Sequence, residues 1–236
     1  MRKSRLGAGL SRSRFFLMPR FVRCLQYSIV CLGLLSAGTG TLADAKPPPG
    51  TTSLPSVLVF GDSLSAAYGL AQNSGWVSLL SERLAQRSPP YRVVNASISG
   101  ETTRGGLSRI AQTLDQYHPA VVIIELGGND GLRGLSLSAT RDNLETLVRA
   151  AKAAKARVLL VGVELPPNYG ADFTQRFRDN YAQVAKAQRV PLVPSLLRGF
   201  DDERDLFQGD GVHPVAKAQP LMMETVWKEL EQMLKR

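Results

Sequence analysis

The chain has 236 residues, 44% hydrophobic and 21% charged, which is ordinary for a globular protein, so disorder is not the default reading. That length suits one well-cored domain with little left for a second. The formal charge of +9 points at first to nucleic acid, but its distribution removes that reading. Seven of the 29 basic residues and only one of the 20 acidic ones precede residue 46, so the remainder carries 22 against 19. That remainder is mildly basic, with its bases scattered along helical stretches and no basic stripe for a nucleic-acid partner.

In chain order, residues 24–38 form a 15-residue apolar run (CLQYSIVCLGLLSAG), preceded by arginines and followed by Ala43-Asp44-Ala45. This is the basic, apolar, small-residue order of a secretory signal, with cleavage expected after Ala45, and Met18 offers an alternative start. The run is short for a membrane span, which needs about 20 residues. An uncleaved anchor is the alternative; a lipoprotein through Cys31 is disfavoured because Val30 sits where a small residue is wanted. The domain assignment is therefore signal 1–45, linker 46–55 and one folded domain 56–236, in a periplasmic or secreted protein. Cys24 and Cys31, the two cysteines, both fall in the signal. The mature domain then has no disulfide, thiol nucleophile or cysteine metal site. With only His118 and His213, a multi-histidine zinc centre is nearly excluded, and no metal or other cofactor is expected.

Lys46-Pro47-Pro48-Pro49-Gly50 reads as the linker. Beyond it, short Val- and Ile-rich runs at 56–60, 91–95, 120–126, 157–163 and near 192–193 are nearly continuous in hydrophobicity, as in strands covered on both faces. Helical patterns at about 75–87, 103–116, 139–156, 174–188 and from 215 onward separate them. This alternation predicts an α/β fold with a doubly wound parallel sheet of about five strands and helices on both faces.

Ligands bind such sheets at the carboxyl ends of the strands, so the polar residues there matter most. Gly61-Asp62-Ser63-Leu64-Ser65 follows the first strand, Ala96-Ser97-Ile98-Ser99-Gly100-Glu101 the second, and Gly127-Gly128-Asn129-Asp130 the third. Asp210-Gly211-Val212-His213-Pro214 precedes the last helix. Acyl transfer by serine needs a nucleophile, a base, a group to orient the base, and oxyanion donors. Ser63, His213 and Asp210 can fill the first three roles. The Gly100 and Ser63 amides and the Asn129 side chain can supply the donors.

These four segments resemble the four sequence blocks of the SGNH (GDSL) hydrolase family: GDSLS with Ser63, NASISGET with Gly100, GGND with Asn129, DGVHP with Asp210 and His213. The likeness runs from about residue 57 to 220. NASISGET, LGGNDGLRG, LPPNYG and DGVHP look like the bacterial thioesterase I/lysophospholipase/arylesterase group. The resemblance implies a flavodoxin-like three-layer αβα sandwich and a periplasmic serine esterase. Its small-molecule substrates would be acyl thioesters, lysophospholipids or aryl esters. Contact with membrane lipid would be at most transient, and the protein a monomer. It also implies an acyl pocket walled by the loops 132–137 and 165–170, with Leu132, Leu135, Leu165 and Tyr169 as candidates. Position 65 is Ser, so the G-x-S-x-G elbow of α/β-hydrolases is missing.

Other readings stay open. Taken alone, Ser63 reads as a turn or cap serine, Asp210-Gly211 as a turn, and Gly100 as a backbone needing positive φ. His118, before Pro119, reads as a surface residue at a helix C-terminus. Glu125, ending an apolar strand, reads as a hydrogen-bonded structural carboxyl rather than an acid or metal ligand, and Asp130 as structural. A carbohydrate esterase with the same machinery, or a binding module on the same fold, are the competing functions.

Overall fold

A computed structural model of the chain describes residues 54–235. The predicted signal and most of the linker lie outside the described residues. Five strands, β1 (Ser56–Gly61), β2 (Arg92–Asn95), β3 (Val121–Glu125), β4 (Arg157–Val161) and β5 (Leu192–Val193), form one sheet in the order β2-β1-β3-β4-β5. Every pairing is parallel. The predicted strands 120–126 and 157–163 are thus each shorter than expected. Their last apolar residues leave the ladder to turn into the site loops.

Strand alternation divides the core in two. Val57, Val59, Val121, Ile123, Leu159 and Val161 point to one side of the sheet. There α1 (Trp76–Ala85) and α6 (Gln219–Leu234) cover them with Trp76, Leu80, Met222 and Val226. Leu58, Phe60, Val122, Ile124, Val158 and Leu160 point to the other side. They meet α2 (Thr103–Tyr117), α4 (Leu137–Ala153) and α5 (Ala171–Gln188) through residues such as Ile110, Leu147 and Phe177. Because both faces of β1, β3 and β4 are buried, these strands have no polar face, and this is why they read as continuous apolar runs. Helices on both faces of a parallel sheet make the three-layer αβα architecture expected from the sequence.

The one α-helix absent from the sequence reading is α3 (Gly128–Leu132), a single turn that begins within the GGND segment and ends two residues beyond it. Two of its five residues are glycine, so propensity argues against it. Gly127 starts it at φ +119, and a Cβ there would lie 2.4 Å from the Tyr181 hydroxyl, so only glycine fits. Tyr181 in turn donates that hydroxyl to the Leu126 carbonyl at 3.0 Å, satisfying a backbone group where β3 ends.

The strand order places the topological switch between β1 and β3. The chain leaves β1 toward β2 on one side and enters β3 on the other, opening a crevice at the two carboxyl ends. In register, Gly61 is paired with Glu125, so the GDS and GGND segments emerge side by side. The C-terminal segment reaches the same rim through the Phe207–Pro214 bridge. Gln208 N–H donates to the His213 carbonyl at 2.7 Å. The Gln219 side chain, 2% exposed, accepts the first amide of α1 at 2.9 Å, which fixes α6 and the preceding loop against the β1–α1 connection. His118 ends α2 in a left-handed conformation, φ +40, as a helix terminator. Among the described residues no helix is long and apolar enough to cross a membrane.

Candidate active site

Ser63 stands two residues beyond β1 at the start of a turn closed by Ala66 N–H to the Asp62 carbonyl (2.9 Å) and Tyr68 N–H to the Ser63 carbonyl (3.1 Å). Its Oγ lies 2.8 Å from His213 Nε2, across 150 residues of sequence. The other ring nitrogen, Nδ1, lies 2.7 Å from Asp210 Oδ2. Asp210 Oδ1 accepts the Val212 and His213 amides at 2.9 and 3.0 Å, so its carboxylate is anchored by one oxygen and faces the imidazole with the other. Partial burial pushes the Asp210 carboxyl up. The two amides and the His213 ring outweigh it and hold the carboxyl at about 2. The Tyr68 ring covers His213 with centroids 4.6 Å apart and limits how far the imidazole can swing.

Gly100 adopts φ +79, a conformation glycine takes without strain. Its carbonyl accepts from Arg133 Nη2 at 2.9 Å, bridging the β2–α2 loop to the segment after α3. That loop is also tied down from beneath: Arg109 pairs with Glu101, donates to the Ala96 carbonyl at 2.8 Å, and lies 3.8 Å over the Phe60 ring. Asn129, in α3, gives Nδ2 to Asp62 Oδ2 at 3.1 Å, leaving its second N–H for a ligand. Ser63, Gly100 and Asn129 all border one cavity of about 1070 Å³, together with His213. Among the described residues no group of three or more His, Cys, Asp or Glu could hold a metal ion.

The predicted pocket residues separate. Leu132 and Leu165 line the cavity beside Val163, Leu197 and Phe207, giving it an apolar wall. Leu135 is 42% exposed and does not line it. Tyr169 also stands outside the lining, with its hydroxyl donated to the Leu132 carbonyl at 2.9 Å and its ring stacked with Phe173. The loop's direction after α3 decides this. Arg133 and Leu132 are held from either side, and the chain then turns outward at Leu135.

Three residues carry more than their sequence positions told. Asp130 accepts the Thr103 amide (2.8 Å) and hydroxyl (2.5 Å), capping the approach to α2 from α3. Glu125 is fully buried, with Oε2 accepting from Ser65 Oγ at 2.6 Å. Burial first, then the neighbouring Asp62 charge, push its carboxyl well above the ordinary range. Asp62 is 2% exposed and accepts the Leu64 amide at 3.1 Å besides Asn129. Burial raises it to about 6, against the Leu64 and Asn129 bonds and the charge of His213, with Asp130 adding to the rise.

A raised carboxyl favours the folded state while it holds its proton and loses that contribution as pH climbs toward the folded value. For Asp62 that window runs from about 4 to 6. Relative to wild type, an Asp62→Asn protein should therefore gain stability across this window, on the order of 3 kcal/mol. Thermal melts at pH 4 and pH 7.5 check this; a difference independent of pH would contradict it.

A serine beside a histidine, and that histidine beside an anchored carboxylate, open onto one cavity with an apolar wall. Residues 59–219 match the GDSL-like Lipase/Acylhydrolase family. The chain belongs to that family and is a carboxylic ester hydrolase. It is 48% identical over 178 residues to Esterase TesA of Pseudomonas aeruginosa, covering 75% of this chain and 89% of that one. It is 39% identical over 175 residues to Thioesterase 1/protease 1/lysophospholipase L1 of Escherichia coli K12, covering 74% and 83%. A crystal structure of TesA superposes with a TM-score of 0.73 at 47% identity, covering 75% of this chain and 98% of that chain.

Proposed function

We propose that this enzyme cleaves carboxylic acyl esters and thioesters of small molecules through an acyl-enzyme on Ser63. The observation that carries the reading is the relay from Ser63 Oγ to His213 Nε2 at 2.8 Å and from Nδ1 to Asp210 at 2.7 Å. Ser63 Oγ attacks the acyl carbon as its proton passes to Nε2. The tetrahedral oxyanion is held by the Ser63 and Gly100 amides and by Asn129. His213 returns the proton to the leaving alcohol or thiol. A water molecule, deprotonated by His213, then attacks the acyl group and releases the acid, restoring Ser63.

The apolar wall of Leu132, Val163, Leu165, Leu197 and Phe207 supports acyl chains longer than acetyl, and therefore thioesters, lysophospholipids and aryl esters above acetylated carbohydrate. Each methylene buried against it adds about 0.8 kcal/mol of binding. A panel of aryl esters from acetyl to dodecanoyl, with an acyl thioester and acetyl-xylan, tests the reading. Medium-chain esters should exceed the acetyl ester in kcat/KM, and acetyl-xylan should be the poorest. Acetyl-xylan as the best substrate would select the carbohydrate-esterase alternative.

The leader-like segment 24–45 supports export to the periplasm or medium, with the enzyme acting there as a monomer. N-terminal sequencing of the exported protein should begin at Lys46; a mature chain retaining residues 24–38 would contradict cleavage.

A further inference from the structure

The Asp62 carboxylate stands outside the proton relay, yet it is among the most deeply embedded charges of the site. We propose that Asp62 is a positioning residue that fixes which end of the Asn129 amide faces the cavity. The proposal rests on the reading of Asn129 as an oxyanion donor and deepens it.

An asparagine side chain presents two ends of similar size and opposite polarity. With Nδ2 toward Asp62, one N–H is donated to Oδ2 and the other is free for an oxyanion. Flipped, the amide oxygen would meet a carboxylate oxygen at about the present 3.1 Å, a contact between two acceptors, and the donor for the oxyanion would be lost. The carboxylate is the group that makes one orientation far better than the other. Both of its oxygens are committed, Oδ1 to the Leu64 amide and Oδ2 to Asn129. An asparagine at position 62 has one acceptor oxygen and can serve only one of these donors. Keeping the Leu64 bond would turn its own NH₂ toward Asn129 and favour the flipped amide.

The surroundings are built to hold this carboxylate still. A Cβ on Gly128 would lie 3.3 Å from Asp62 Oδ2, so the absent side chain leaves room for the oxygen beside α3. Below, Ser65 Oγ donates to Glu125 and the Ser65 carbonyl accepts from Asn95 Nδ2 at 2.8 Å, clamping the turn from β3 and β2. A Cβ on Gly61 would come within 2.8 Å of both Glu125 Oε2 and Ser65 Oγ. The charged and titratable groups facing Asp62 are Glu125 from β3, Asp130 from α3, and His213 from the C-terminal loop, with Tyr181 of α5 feeling its charge. Two buried carboxyls this close do not both ionise at neutral pH. Glu125, with no solvent access and one oxygen lacking a partner, keeps the proton, and Asp62 carries the charge that holds Asn129.

A double-mutant cycle tests this, because a residue acting through Asn129 has nothing left to do once Asn129 is gone. Wild type, Asp62→Asn, Asn129→Ala and the double variant are compared on p-nitrophenyl butyrate. Asn129→Ala should lower kcat by about 10²–10³. Asp62→Asn should lower it by about 10–10² with KM changed less than about threefold, as for an interaction made in the transition state. The double variant should be no slower than Asn129→Ala. Penalties that multiply would overturn the proposal while leaving the oxyanion reading of Asn129 intact, whereas a fully active Asn129→Ala would end both.

If Asp62→Asn does not fold, the ratio of wild-type to Asn129→Ala kcat across pH answers the same question. The ratio should shrink as pH falls through about 6, where Asp62 takes up its proton. A ratio flat from pH 5 to 8 would overturn the proposal.

Discussion

A Ser63→Ala protein is expected to hydrolyse esters with kcat lowered on the order of 10⁶, the loss seen when a serine nucleophile is removed from such a relay. The geometry explains why nothing nearby can replace it. His213 Nε2 faces Ser63 Oγ at 2.8 Å. The other serine of the same turn, Ser65, is 1% exposed and turned away toward Glu125. The residual rate would come from the oxyanion donors and binding alone. Adding His213→Ala to Ser63→Ala should cost little more, since the two act as one unit. Steady-state rates of the single and double variants check both statements, and an active Ser63→Ala enzyme would refute the acyl-enzyme route.

Asp210→Asn is the second large effect expected, about 10⁴ in kcat with the fold retained. The reason lies in how Asp210 divides its oxygens. Oδ1 is claimed by the Val212 and His213 amides, and only Oδ2 meets Nδ1. An asparagine would keep its one oxygen on the two backbone donors and turn NH₂ toward the imidazole. His213 would then have to accept at Nδ1 and carry its proton on Nε2, where it cannot take one from Ser63. NMR of the ring nitrogens should show the proton moved from Nδ1 to Nε2, together with the rate loss. An Asp210→Asn enzyme at wild-type rate would contradict the anchoring argument.

The same bonds set an acid limit. A carboxyl depressed in the folded state stabilises it fully above the ordinary range near 3.9 and loses that contribution as pH falls through the folded value. For Asp210 that value is about 2, so the residue stays ionised across the whole working range of the enzyme. Stability and activity lost between pH 4 and 6 must therefore come from other groups.

Much of this was legible because parallel strands buried on both faces announce themselves as uninterrupted Val and Ile runs, and because the functional residues sit where those runs end. The four blocks bearing Ser63, Gly100, Asn129 and the pair Asp210–His213 could each be placed at the rim before any strand order was known. The order β2-β1-β3-β4-β5 itself left no local trace, since it depends on which helices cover which face. Helix α3 was hidden because Gly128 and Gly131 argue against helix, while a Cβ at either position would crowd Asp62, or Leu165 and Phe177, so the tertiary setting calls for glycine there.

Side-chain direction was the least readable quantity. Leu135 and Tyr169 belong to segments that border the site, yet one faces solvent and the other braces the Leu132 carbonyl. Tyr68 packs on His213 from a turn with no periodicity to reveal it. Asp62 stood in plain view inside Gly-Asp-Ser, but only the placement of Asn129 across the switch point gives its second carboxylate oxygen a partner.

The most direct test of the central claim is the mass of the protein after reaction with an excess of a fluorophosphonate, followed by peptide mapping. One equivalent of phosphonyl adduct should appear, on Ser63, and His213→Ala should take up the label far more slowly. Label on another residue, or none at all while ester hydrolysis continues, would contradict the assignment of Ser63 as the nucleophile.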